Sequence, residues 1–175
     1  MTERVAVVVG GASGIGWATA RALAGPGDAG GCRVTIADRN TDLAAQRAAE
    51  LGAPHTWAAV EVSDEDSVRQ LFDGVAAREG GLHVVVNCAG FSGFGLITDL
   101  DAEQFRSVID VCLTGAFLVI KHAGRHLGDG GAVVSLTSLN ARQPAIGMGA
   151  YCAAKAGLSM LAQVAALELG PHGVR

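Results

Sequence analysis

Short apolar runs alternate with longer segments of helical period along this 175-residue chain. Several of the runs are apolar at nearly every position, which is the pattern of strands that helices cover on both faces. Strands are predicted at 4–9, 33–37, 56–62, 82–86 and 131–136, and helices at 14–24, 41–51, 64–79, 101–127 and 149–169. The alternation predicts one α/β domain over residues 1–175, built on a doubly wound parallel sheet of the Rossmann type.

The composition argues against several classes of protein. Half of the residues are hydrophobic and 17% are charged, which does not fit a disordered chain. The net charge of −4, without a dense stripe of Lys and Arg, argues against nucleic acid as a partner. No apolar run approaches the roughly 18 residues that span a bilayer, and the N-terminus lacks a cleavage-site pattern, so we expect neither a membrane partner nor a signal peptide. The four cysteines form no CxxC pair and the histidines no metal-like set, so we expect free thiols in the cytoplasm and no metal.

A glycine-rich run joins the first predicted strand to the first helix, with the residues Gly10, Gly11, Ala12, Ser13, Gly14, Ile15 and Gly16. Glycine allows the backbone angles of a tight turn and lets the chain approach a pyrophosphate closely. The helix N-terminus offers unpaired N–H groups and the positive end of its dipole to that anion. A glycine cluster alone could be only a turn, but its position between a strand and a helix predicts nucleotide binding. A second glycine-rich stretch, at 25–31, is predicted to be a surface loop.

Asp38 ends the second predicted strand, 22 residues after Gly16. A carboxylate there can accept hydrogen bonds from the adenosine ribose hydroxyls and repels a 2′-phosphate, which favours NAD over NADP. Arg39 follows directly and could offset part of that repulsion. The alternative is that Asp38 is only the N-cap of the helix at 41–51.

Tyr151 and Lys155 lie four residues apart on a predicted helix, so their side chains project from one face. Ser138 follows the fifth strand, and ligands of doubly wound sheets bind at the carboxyl ends of strands. Hydride transfer to a carbonyl needs a proton donor at the oxygen, and a nearby ammonium helps to lower the pKa of a tyrosine. Without further context, a Tyr and a Lys at this spacing could equally be a chance pair.

These motifs together resemble the short-chain dehydrogenase/reductase family, from the first strand to the last residue of the chain. The family's Thr-Gly-x-x-x-Gly-x-Gly loop corresponds to Val9 through Gly16, its Asn-Asn-Ala-Gly run to Asn87-Cys88-Ala89-Gly90, and its Tyr-x-x-x-Lys to Tyr151 and Lys155. The resemblance implies that Tyr151 is the acid/base and that Ser138 positions the substrate. It implies that Lys155 binds the nicotinamide ribose and lowers the pKa of Tyr151.

The resemblance also implies a set of cofactor-binding residues and a mode of assembly. Glu61 and Val62 occupy the place of the family's Asp-Val pair at the adenine. The predicted NAD-binding residues are Gly10, Ser13, Gly14, Ile15, Gly16, Asp38, Arg39, Glu61, Val62, Asn87, Ala89, Gly90, Tyr151 and Lys155. Family members commonly associate through the helices at 101–127 and 149–169, which implies a homodimer or homotetramer.

The chain departs from the family pattern at several places. Cys112 replaces an asparagine that helps to hold a water near the catalytic lysine, and a thiol is a poorer hydrogen-bonding group. Val9 replaces a threonine and Cys88 an asparagine. The sequence ends at Arg175, before the family's sixth and seventh strands and its substrate-covering loop, so we expect a fragment or a short form whose fifth strand is an open edge.

We therefore expect an NAD-dependent oxidoreductase that acts on the CH–OH group of a small alcohol or on the corresponding ketone. Two other functions stay open. One is a catalytically weak or inactive nucleotide-binding or assembly protein, which Cys112 and the absent substrate loop favour. The other is an epimerase or dehydratase on the same fold. The identity of the substrate does not follow from the sequence.

Overall fold

Five parallel strands form one sheet in the order β3-β2-β1-β4-β5, in a computed structural model that describes residues 4–26 and 31–175. The strands are β1 (Arg4–Val9), β2 (Cys32–Asp38), β3 (Thr56–Ala59), β4 (Leu82–Asn87) and β5 (Leu127–Ser135). The order reverses between β1 and β4, which creates a crevice at the carboxyl ends of those two strands. This confirms the predicted doubly wound parallel sheet.

Within the described residues, six α-helices connect and cover the strands. They are α1 (Gly14–Ala24), α2 (Thr41–Leu51), α3 (Glu65–Glu79), α4 (Ala102–Ile109), α5 (Gly115–Gly124) and α6 (Gly149–Leu169). A single π-helical turn (Asp110–Thr114) joins α4 to α5. Short 3₁₀ turns at Leu139–Ala141 and Gly170–His172 flank α6.

The side chains of β1 alternate between two apolar layers, because successive residues of a strand point to opposite faces of the sheet. Val7 and Val9 face a layer that includes Phe72 of α3 and Val119 of α5. Val8 faces a second layer, to which α1 and α2 contribute small alanine side chains. Helices on both faces explain why the strands are apolar at nearly every position.

Three predicted elements differ from the structure by more than one residue at a boundary. Strand β3 ends at Ala59 rather than at 62, because the chain turns there toward α3, with a hydrogen bond from Asp64 N–H to the carbonyl of Glu61. Strand β5 begins at Leu127 rather than at 131, because Leu127 pairs with Leu82 and a bulge then shifts the register. The helix predicted at 101–127 is interrupted by the π turn and ends at Gly124.

The outer edge of β5 is partly paired. The N–H of Val133 donates to the carbonyl of Arg175 at 2.7 Å, and the N–H of Arg175 donates to the carbonyl of Gly131 at 3.0 Å. The last residues of the sequence therefore lie beside β5, whereas Val134 is half exposed. The expectation of a fully open fifth strand is wrong for this part of its edge.

Two helical stretches, Ala102–Gly124 and Gly149–His172, could cross a membrane by length and composition alone. Half of the apolar window in the first stretch and 22% of that in the second are buried inside the protein. Core helices of soluble proteins pass the same test, so this is weak evidence for a membrane. The glycine-rich loop predicted at 25–31 lies mostly outside the described residues.

Candidate active site

The glycine-rich run between β1 and α1 forms a tight turn that rests on the ends of two strands. The N–H groups of Gly10 and Gly11 donate to the carbonyl of Ala37 at 2.8 and 3.2 Å. Gly10 has a φ of +70°, and a Cβ atom there would lie 2.8 Å from the backbone nitrogen of Ala89. A Cβ atom on Gly16 would clash with the carbonyl oxygen of Gly10. Glycine is thus required by conformation at position 10 and by close packing at both positions.

The N-terminus of α1 differs from those of the next three helices. Asn40, Asp64 and Asp101 cap α2, α3 and α4 through side-chain hydrogen bonds to backbone N–H groups. Within the described residues, Ser13 makes no such bond to α1, and no atom lies within 4 Å of the place a Cβ on Gly14 would take. The first turn of α1 therefore lacks the side-chain cap that the next three helices have, which suits an anion such as a pyrophosphate.

A cleft runs from this turn across the carboxyl ends of β1, β2 and β4, and we call it the glycine-loop cleft. Most of the predicted cofactor-binding residues line it, namely Gly10, Ser13, Asp38, Arg39, Glu61, Val62, Ala89 and Gly90. Val60, Cys88, Phe91 and Val111 line it as well. Of these four, Val60 and Val111 had no signal in the sequence, because an isolated valine beside a strand or within a helix reads as a core residue.

Two predicted cofactor residues are placed where they support the cleft rather than line it. Gly16 packs against Gly10 inside the turn. Asn87 is buried, and its Oδ1 atom accepts a hydrogen bond from the N–H of Ala89 at 3.1 Å. Gly16 and Asn87 therefore shape the backbone that borders the cleft.

The carboxylate of Asp38 joins the end of β2 to the glycine-rich turn. Its Oδ2 atom accepts from the N–H of Ala12 at 3.1 Å, and its Oδ1 atom accepts from the N–H of Asn40 at 3.0 Å. Asn40 is the N-cap of α2, so the alternative that Asp38 caps this helix is wrong. Arg39, beside it, is exposed and lines the same cleft.

Ser138, Tyr151 and Lys155 line a second cleft, the tyrosine cleft, as their predicted convergence requires. Ile15 lines this cleft too, although the sequence placed it with the glycine loop. Cys88, Gly90 and Phe91 line both clefts, so the two adjoin each other. A molecule that extends from the N-terminus of α1 past Gly90 would reach the side chains of Tyr151 and Lys155.

Lys155 is buried, and its ammonium donates a hydrogen bond to the carbonyl oxygen of Leu136 at 2.7 Å. The Nζ atom lies 5.6 Å from the centre of the Tyr151 ring. Burial lowers the pKa of Lys155, and the neighbouring thiols of Cys112 and Cys88 oppose that effect. The fixed position of the ammonium places a titratable cation beside the phenol.

The side chain of Ser138 is oriented by a residue that the sequence analysis missed. Its hydroxyl donates to Oδ1 of Asn140 at 3.2 Å and accepts from the N–H of Asn140 at 3.1 Å. Asn140 also lines the tyrosine cleft. An asparagine two residues after a serine is typical of a local turn, so no sequence motif points to Asn140.

Cys112 lies in the π turn, buried behind Gly90. Its thiol donates to the carbonyl oxygen of Phe91 at 3.3 Å. A Cβ atom on Gly90 would lie 3.3 Å from this sulfur and 3.4 Å from Nζ of Lys155, so the thiol and the ammonium both lie beside Gly90. Cys112, which replaces the family's asparagine, therefore lies close to the predicted catalytic lysine. π turns inside α-helices are frequent at functional sites.

The described residues contain no group of three or more His, Cys, Asp or Glu side chains that could hold a metal ion. His122 instead pairs with Glu65, and His126 with Asp73. Among the described residues, no two cysteines are joined by a disulfide.

Comparisons with known proteins agree on one kind of enzyme. A family profile described as enoyl-(acyl carrier protein) reductase matches residues 10–175. A cis-4-hydroxycyclohexanecarboxylate dehydrogenase from Sinomonas cyclohexanicum is 40% identical over 99% of this chain and 70% of its own length.

Two solved structures share the fold. A short-chain type dehydrogenase/reductase from Mycobacterium ulcerans has a TM-score of 0.91 and 37% identity, covering 98% of this chain and 64% of that one. A short-chain dehydrogenase from Burkholderia cenocepacia, in complex with NADP, has a TM-score of 0.90 and 34% identity, covering 98% of this chain and 70% of that one. The chain thus spans about two thirds of the length of these proteins.

Proposed function

The chain belongs to the short-chain dehydrogenase/reductase family, and on that premise we propose that it transfers a hydride between NAD(H) and an alcohol or carbonyl substrate. The observation that carries the proposal is the tyrosine cleft. Ser138, Tyr151 and Lys155 line it together, and it opens directly into the cleft at the uncapped N-terminus of α1. The first cleft suits a dinucleotide and the second suits the reacting carbon.

The residues around the glycine-loop cleft fit a dinucleotide. Gly10, Ser13, Gly14 and Ile15 form the turn and the first N–H groups that would receive the pyrophosphate. Asp38 and Arg39 would contact the adenosine ribose, and Glu61 and Val62 the adenine. Ala89, Gly90, Tyr151 and Lys155 would border the nicotinamide half. When bound, the nicotinamide supplies the centre that accepts or donates the hydride.

Tyr151 acts as the general acid/base in this proposal. In the oxidation direction its phenolate takes the hydroxyl proton of the alcohol, and in the reduction direction its phenol returns that proton. The ammonium of Lys155 lies 5.6 Å from the centre of the Tyr151 ring and would favour the phenolate over the phenol by charge attraction.

Lys155 and Ser138 complete the arrangement. The bond from Nζ of Lys155 to the carbonyl of Leu136 fixes the ammonium where it can also bind the nicotinamide ribose. The hydroxyl of Ser138, oriented by Asn140, holds the substrate oxygen near the phenol. Such positioning lowers the barrier because the reacting groups are already aligned.

NAD is the proposed cofactor because a carboxylate ends β2. The charge of Asp38 lies at the edge of the glycine-loop cleft, where it would repel the 2′-phosphate of NADP. Its two backbone hydrogen bonds, to Ala12 and Asn40, fix it in place. Arg39 is the nearest residue along the chain that could reduce this preference.

The test is spectroscopic. Purified protein is mixed with NAD and a panel of secondary alcohols, and with NADH and the matching ketones, while nicotinamide absorbance is followed. We expect turnover in at least one direction that depends on both protein and substrate. Saturable NAD binding without turnover of any alcohol or ketone would contradict the proposal.

The second candidate function is a nucleotide-binding or assembly protein with little catalysis. Cys112 favours it, because the thiol beside Lys155 is used in a bond to the carbonyl of Phe91 and relays protons poorly. The binding-without-turnover result would support this function. We further propose a cytoplasmic protein that forms a homodimer or homotetramer through α4, α5 and α6.

A further inference from the structure

The tyrosine cleft offers a substrate almost no charge. The described residues that line it are apolar or neutral, apart from Lys155. Lys155 is buried and its ammonium already binds the carbonyl of Leu136. A carboxylate or phosphate on the substrate would therefore enter the cleft without a counter-ion, which is costly.

The mouth of this cleft is built from apolar side chains on two segments that are pinned together. The N–H of Gly95 donates to the carbonyl of Gly147 at 2.9 Å. The ring of Phe94 packs on Gly147, where a Cβ atom would lie 2.7 Å from its Cε1 atom. Met148, the next residue, lines the cleft itself. The ring of Phe94 thus lies beside the entrance.

Large apolar side chains stay exposed around this entrance. Phe94 is 71% exposed and Leu139, between the cleft-lining residues Ser138 and Asn140, is 73% exposed. Ile146, next to Gly147, is 85% exposed. Exposed apolar groups clustered around a polar centre indicate a ligand whose own apolar surface covers them.

On the basis of the proposed function, we infer that the substrate is a neutral secondary alcohol, or its ketone, with an apolar ring or chain that lies against Phe94 and Leu139. In oxidation, the carbinol hydrogen leaves with its two electrons to oxidised nicotinamide. The hydroxyl proton passes to Tyr151, and the electron pair of the O–H bond forms the C=O bond. Alcohols that carry a carboxylate or a phosphate are disfavoured, because the described residues of the cleft offer no counter-ion other than the ammonium of Lys155, which already binds Leu136.

The experiment compares kcat/KM of the purified protein for alcohols that differ in one property. In the series 2-propanol, 2-butanol, 2-pentanol and 2-hexanol, each added methylene buries apolar surface worth about 0.8 kcal/mol, so we expect kcat/KM to rise about fourfold per step. Cyclohexanol is compared with 4-hydroxycyclohexanecarboxylate, which carries a charged carboxylate group on the same ring. We expect cyclohexanol to be preferred by at least about tenfold.

Variants of Phe94 test the mouth directly. Phe94→Ser is expected to flatten the rise from 2-propanol to 2-hexanol, whereas Phe94→Leu keeps most of it because it keeps apolar surface. A flat series in the unchanged protein, or equal use of the carboxylate, overturns the inference and leaves the proposed function intact. No turnover of any alcohol or ketone overturns the proposed function and this inference with it.

Discussion

The carboxylate of Asp38 accepts a hydrogen bond from the backbone N–H of Ala12 at 3.1 Å, and thereby joins the end of β2 to the glycine-rich turn. Asp38→Asn keeps an oxygen that can accept this bond but removes the charge. We expect NADP to gain about tenfold in affinity relative to NAD, because the repulsion of a 2′-phosphate is lost. Calorimetric titration of both cofactors measures the change. Tighter binding of NADP by the unchanged protein would show that Arg39 dominates.

Substitution of Cys112 tests whether its thiol limits catalysis, as the weakly catalytic alternative requires. Cys112→Asn restores the residue usual in the family beside Lys155, and an amide exchanges hydrogen bonds better than a thiol. We expect kcat to rise several-fold with NAD affinity unchanged. Cys152→Asn, at a half-buried thiol on α6, is the control for a general effect of the substitution. A melting temperature within a few degrees of the parent shows that the fold is intact, and an unchanged kcat would then contradict the role assigned to position 112.

The side chain of Glu79 is 3% exposed and pairs with Arg33 at 2.8 Å and with Arg78 at 2.6 Å. Burial raises the pKa of Glu79, but the hydrogen bonds from Arg78 and Arg33 outweigh it, so its pKa is lowered from 4.5. The ion pairs of Glu79 with Arg33 and Arg78 therefore stabilise the fold above about pH 4.5. This contribution is lost as the pH falls through the lowered pKa of Glu79 in the folded protein.

Glu79→Gln should lower the free energy of unfolding at pH 7 by about 1–2 kcal/mol, a value reduced because both arginines are partly exposed. The difference in the free energy of unfolding between the variant and the parent should become smaller near pH 3. Glu168→Gln, at an exposed site on α6, is the matched control. Urea unfolding at both pH values measures the effect, and a difference that stays constant between them would disprove the assignment.

Met160, Val164 and Leu167 form an exposed apolar stripe along α6. Their spacing of four and three residues places them on one face of the helix. Leu167→Glu should weaken self-association, because a charge in an apolar interface must be desolvated. Ala49→Glu adds the same charge at an exposed site on α2, outside the proposed interface, and should have little effect. Light scattering over a range of protein concentrations measures the self-association. A monomeric parent protein would refute the proposed interface.

The fold was predictable because its main determinants are local. Apolar runs such as the one that forms β1 and the glycines at 10 and 16 satisfy requirements that short stretches of sequence express. The π turn at Asp110–Thr114 was not predictable, since one wider turn leaves the apolar pattern of a helix almost unchanged. The start of β5 was missed because Gly128, Asp129 and Gly130 read as a turn, whereas pairing with β4 extends the strand.

The candidate site likewise has one part that was predictable from the sequence and one part that was not. Ser138, Tyr151 and Lys155 were found because their spacing matches a family pattern, and they line one cleft. Asn140 was missed because an asparagine two residues after a serine is typical of an ordinary turn, and Val111 was missed because its place depends on how distant segments meet. The burial of Lys155 and its bond to Leu136 likewise depend on tertiary contacts, which spacing does not express.

Tyr151→Phe tests the central claim most directly, because it removes one hydroxyl and leaves the ring that faces Lys155. Turnover of the best alcohol and the dissociation constant of NAD are measured on the same preparation, beside the parent protein. We expect turnover to fall at least about 100-fold, since general acid/base catalysis contributes that much, with the dissociation constant of NAD within about twofold of the parent. A variant that binds NAD normally and keeps more than about a tenth of the parent rate would contradict Tyr151 as the acid/base.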